Sequence, residues 1–244
     1  ACDRLAYERA FQFGQRAREI ADAHDLELDA DFHATLGDIA DRTSRLDRAE
    51  RHFEAAIAAS DDPLRRAELH CHLADVFLGQ YDNPRALEVI KAGFAEIGEP
   101  FPTVNPRNLA QALRHWVAGE IHTSIDREAG PNGDERRLDV LFFLYQIAQK
   151  VTFLSMDNGV MAQAGVRSLR LAQKLGDEHR MAEAHASHAV MLTVLGLESR
   201  GRSHMERAFR FGEKTGDPFL LGSVKVYDWL ISDFSGDPHR AERI

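Results

Sequence analysis

The chain has few of the features that would mark a membrane protein, a secreted disulfide scaffold or a nucleic-acid binder. Its 244 residues include only two cysteines, Cys2 and Cys71. That count fits a reducing compartment, and the cytoplasm is the expected location. No apolar run is long enough to cross a bilayer. The densest, Val140 to Leu154, is interrupted by Tyr145, Gln146, Gln149 and Lys150, so it reads as a buried helix and no membrane is expected. An excess of basic charge is also missing. A net charge of −9 and a pI near 5.7 argue against a surface built to neutralise phosphates, so nucleic acid is not an expected partner. No Gly-x-x-x-x-Gly-Lys-Ser/Thr loop occurs, and no sustained alternation of apolar and polar residues supplies a strand to carry one.

What the chain does have is helical periodicity throughout, with apolar residues three and four apart. In the first helix Ala6, Ala10, Phe13, Ala17 and Ile20 fall on one stripe. The word Glu8-Arg-Ala-Phe-Gln-Phe-Gly14 returns as Glu206-Arg-Ala-Phe-Arg-Phe-Gly212. Neither copy follows a strand or carries a second glycine at phosphate-loop spacing, so both are expected to serve packing.

A longer repeat is stronger. Leu36, Gly37, Ala49, Phe53 and Ala56 recur 37 residues later as Leu73, Ala74, Ala86, Ile90 and Gly93, with Pro63 and Pro100 after the two sets. Small residues at such spacing let two antiparallel helices approach, and a large residue one turn on fills the gap to the next pair. Farther along, Gly176-Asp177, Gly216-Asp217-Pro218 and Gly236-Asp237-Pro238 read as helix ends followed by caps. Between the blocks, Glu99 to Pro106 is too rich in proline for helix. Leu109, Leu113, Trp116, Val117 and Ile121 then form a longer stripe that Gly130-Pro131-Asn132-Gly133 ends. The expected organisation is one continuous all-α solenoid of helix pairs, about 11–12 helices in all. It divides into repeats at 1–98, an irregular middle with a longer pair at 99–156 and further repeats at 157–244. The start at Ala1 and the stop at Ile244 soon after a new helix signal read as a piece of a longer protein.

The string Leu169-Arg-Leu-Ala-Gln-Lys-Leu-Gly-Asp177, the later Gly-Asp-Pro turn and Ile97-Gly-Glu-Pro-Phe-Pro102 resemble the tetratricopeptide-like helical region of large bacterial signalling ATPases of the AAA or STAND type. The maltose-regulon type of transcription activator is similar. The resemblance covers the whole chain. It implies a right-handed superhelix of antiparallel pairs, with nucleotide hydrolysis and any cyclase, kinase or regulatory output outside these residues.

The remaining residues give no catalytic constellation, and no catalytic, cofactor-binding or metal-ligating residue is expected. Twelve histidines invite a metal reading. His70 and His72 project about 200° apart on a helix and cannot share an ion. His185 and His188, or His115 and His122, share a face but have no further ligand at metal-site spacing, so they read as helix-surface or groove histidines. Asp61-Asp62 reads as a cap, and Cys71, among Leu69, Leu73 and Val76, as a small buried hydrophobe. The stripe from Leu138 to Leu154 is expected to be buried by neighbours, with another domain or a second copy of the chain, hence a homodimer, as the alternative. The leading expectation is a non-enzymatic scaffold that binds a protein segment or adjoining domain on a concave face lined by His33, Asp41, His70, Phe77 and Tyr81. The alternative is a small-molecule sensor with a pocket around Trp116, His122, Phe143 and Tyr145.

Overall fold

A computed structural model describes residues 2–26, 28–104, 114 and 134–234. Those residues form ten helices and no strand, and the other helices expected, on the stripe from Leu109 to Ile121 and after Pro238, lie outside the described residues. The chain divides into two compact units, 1–101 and 102–244.

The first unit contains α1 (Cys2–Ala23), α2 (Ala30–Arg42), α3 (Leu46–Ala59), α4 (Pro63–Gly79) and α5 (Asn83–Glu96). The helices start where aspartates can satisfy orphan backbone donors. Asp29, Asp62 and Asp82 accept hydrogen bonds from the backbone N–H groups of Phe32, Leu64 and Arg85. Each first helix of a pair, α2 or α4, packs most extensively on the helix that follows it. All ten residues of the 37-residue repeat are buried. A Cβ on Gly37 would lie 2.7 Å from the ring of Phe53, so only glycine lets α2 come this close to α3. Each large apolar side chain buried in this way contributes about 1.5–3 kcal/mol.

The repeated seven-residue word meets two outcomes. A Cβ on Gly14 would come 2.1 Å from Leu36 Cδ2, and one on Gly212 would come 3.0 Å from Leu221 Cδ2. Both glycines therefore sit at close approaches between helices. The aromatics differ, because Phe211 stacks on His185 while Phe13 is 75% exposed. The stripe read from Ala6 to Ile20 is not the buried side of α1. Phe11 and Ala21 are buried there instead, and Gly14 meets α2.

The second unit contains α6 (Glu135–Leu154), α7 (Asn158–Leu175), α8 (Glu178–Val194), α9 (Glu198–Thr215) and α10 (Pro218–Phe234). Here α6 packs chiefly on α7, across the segment boundary expected at 156/157, and α8 packs chiefly on α9. Gly176 and Gly216 end α7 and α9 with φ of 69° and 67°, the left-handed conformation that glycine adopts at least cost. Asp177 and Asp217 cap the helices that follow. Helix α6 is buried around most of its circumference, including Tyr145, Gln146 and Gln149, as the dense apolar run predicted. No described helix is long and apolar enough to cross a membrane. The stripe from Leu109 to Ile121, the Gly130 to Gly133 break and the turn at Gly236-Asp237-Pro238 lie outside the described residues.

Candidate functional site

The five residues expected on one concave face do not share one. His33 and His70 occupy equivalent repeat positions and each turns into the seam of its own helix pair. The His33 ring lies 5.8 Å from that of His52 on α3, and His70 Nε2 lies 3.7 Å from Glu96 on α5. Phe77 is 1% exposed and sits beneath the Arg85 guanidinium, 3.9 Å from its ring centroid, so it has no surface to offer a partner. Tyr81 is 91% exposed but lies in the turn between α4 and α5, not on a helix. Only Asp41 remains on an exposed helical strip.

Around Asp41 the structure gathers residues the sequence reading passed over. Asp38 and Asp41, one turn apart on α2, face His72 and Asp75, one turn apart on α4. His72 Nδ1 lies 3.6 Å from Asp38 Oδ1, and its ring stacks on Phe53 at 5.4 Å. Asp41 reaches solvent, yet the surrounding protein and then the carboxylates of Asp75 and Asp38 hold its pKa above the ordinary value, against smaller opposing effects of His72 and Arg42. A signal for this strip was available. Asp38 and Asp75 are 37 residues apart, so the repeat duplicates a carboxylate at a position where packing requires none.

The expectation that His185 and His188 lie on the surface or in a groove is corrected. Both are buried, and His204 from α9 joins them. His185 Nδ1 and His204 Nδ1 are 2.8 Å apart, a contact in which one ring donates and the other accepts. The His188 ring lies 4.8 Å from that of His204. Burial, then His204, His188 and the arginines at 207 and 210, push the His185 pKa well below its ordinary value. The i, i+3 pair was legible in the sequence, but its depth and its third member, contributed by another helix, were not. Among the described residues no group of three or more histidines, cysteines or carboxylates is arranged to hold a metal ion.

A cleft of about 480 Å³ opens in the second unit between the start of α6 and the turn joining α7 to α8, lined by Glu135, Arg136, Asp139, Leu175, Asp177 and Arg180. Arg180 donates to both Asp139 carboxylate oxygens, at 2.7 and 3.1 Å, and its guanidinium lies 4.8 Å from the Phe143 ring centroid. The main charged pair of the cleft is thus a clasp between α6 and α8. Of the residues expected around a sensor pocket, Trp116 and His122 lie outside the described residues, as does His115, and Tyr145 is buried. Cys71 is buried, consistent with a packing role. Comparison with protein-family models, with curated proteins and with solved structures finds no match.

Proposed function

We propose that the chain is a non-catalytic interaction region built as a tetratricopeptide-like right-handed superhelix, and that the α2/α4 strip of the first unit binds a cationic segment of a partner protein or adjoining domain. The observation that carries this reading is the crowding of Asp38, Asp41 and Asp75 on exposed helix, where partial burial and then the two neighbouring carboxylates raise the Asp41 pKa. Carboxylates held against one another disfavour the folded state, and a cationic ligand relieves that repulsion. The resemblance to the helical region of signalling ATPases supports a regulatory setting, in which occupancy of the strip is relayed to a catalytic module elsewhere.

The test is fluorescence anisotropy with two labelled peptides, one alternating lysine with leucine and one alternating glutamate with leucine. The lysine peptide binds, its affinity falls as salt rises, and the pair Asp41→Lys and Asp75→Lys weakens it about tenfold. Equal binding of both peptides, or no effect of the two substitutions, sinks the reading.

A further inference from the structure

We propose that the outer face of α1 is a docking seam for a helix of a partner protein whose apolar stripe is flanked by acidic residues. Ala6, Ala10, Phe13, Ala17 and Ile20 follow one another at spacings of four, three, four and three. That is the spacing of a two-stranded coiled-coil seam, here with small knobs at Ala6, Ala10 and Ala17 and large ones at Phe13 and Ile20. The side of α1 next to this stripe is the one that joins the fold. Gly14 meets Leu36, the Arg42 guanidinium stands 5.5 Å from the Tyr7 ring, and those of Arg45 and Arg48 stand 4.4 and 5.2 Å from the Phe11 ring. The seam is left bare, with Phe13 75% and Ile20 54% exposed and Ala6 and Ala17 exposed beside them. Phe13 buries little of its ring in the first unit, whereas a helix laid along the seam would bury it.

The flanks of the seam specify the partner's charge. On one side Tyr7, Gly14 and Ala21 are taken up by the fold. On the other, Arg9 and Arg16 stand seven residues apart beside the stripe, exposed, and neither forms an ion pair with a described residue. A second copy docking antiparallel would set these arginines against their own counterparts, and like charges across a seam are unfavourable. In a parallel pairing they would meet the partner's buried flank. Glutamate or aspartate beside the partner's stripe satisfies both arginines.

The test uses the whole chain carrying Asp41→Asn and Asp75→Asn, so that the α2/α4 strip does not capture the lysine probe, and two labelled synthetic helices of about three heptads, with leucine at a and d and either glutamate or lysine at e and g. The glutamate helix is expected to bind about tenfold more tightly than the lysine helix, with an affinity that falls as salt rises. Because Phe13 and Ile20 are exposed, Phe13→Asp with Ile20→Asp should abolish binding without lowering the melting temperature, and Arg9→Glu with Arg16→Glu should reverse the preference. Equal binding of both helices, or binding of neither, overturns the proposal. So does self-association in sedimentation that Phe13→Asp removes, since that result assigns the seam to a second copy.

Discussion

Tyr81 shows how a single residue can sit at odds with its backbone. It adopts φ of 61°, and its equivalent in the preceding repeat, Ser44, adopts 58°. Both occupy the position after a first helix where glycine is the least strained choice, and a bulky side chain there costs about 1–2 kcal/mol. Since Tyr81 is almost wholly exposed, Tyr81→Gly removes strain without removing buried area. It is expected to raise the stability of the first unit by about 1 kcal/mol, partly offset by the freer unfolded chain, as read from the urea midpoint. Asp41 poses a second conflict. Asp41→Asn removes a carboxylate whose neighbours disfavour its charge, so at neutral pH it should stabilise the unit by about 0.5 kcal/mol while weakening the lysine peptide. A variant that loses both stability and binding would mean that Asp41 supports the fold instead.

Helix pairs depend on a few small residues at their crossings. Gly37 lies under the Phe53 ring, with an added Cβ 2.7 to 2.9 Å from three ring carbons. Gly37→Ala is therefore expected to cost about 2 kcal/mol, even though alanine is the better helix former. Shrinking the ring should give most of this back. In a double-mutant cycle with Phe53→Leu, the combined change should be smaller than the sum of the two, by about 1 kcal/mol. Strict additivity would place the cost of Gly37→Ala somewhere other than this contact. The same reasoning explains why the offset of 37 residues was readable: the small residues it matches, Gly37 and Ala74, Ala49 and Ala86, Ala56 and Gly93, are all buried where a larger side chain would hold packed helices apart. The buried side of α1 was not readable. Its exposed stripe is as regular as a core stripe, and the side chosen was decided by Leu36 and the arginines of α2 and α3.

Both units carry buried histidines, so the chain should lose stability in acid. His52 is held at a pKa of about 4 by burial, then by His33 and nearby arginines, and His185 is held well below its ordinary value. A folded-state pKa below the unfolded value near 6.5 means that the folded form binds fewer protons. The stability these groups contribute is present above pH 6.5 and is lost as the pH falls, for His52 across the window from 6.5 to about 4. Urea unfolding followed between pH 7 and 4.5 should show this decline, and His52→Gln should flatten part of it. An unchanged slope in that variant would assign the acid sensitivity to His70 and His185, whose pKa values burial also lowers.

Local rules in the sequence were enough to establish the all-helical class, the capping aspartates, the left-handed glycines at 176 and 216 and the buried repeat positions. Each depends on neighbours within a helix turn or on the fixed spacing of one helix pair. Tertiary structure decided which polar residues meet. It turned His33 and His70 inward, buried Phe77, brought His72 and Asp75 beside Asp38 and Asp41, and joined His204 to His185. Contacts of that kind depend on how one helix is rotated against another, and the rotation is set by the summed packing of side chains far apart in the chain.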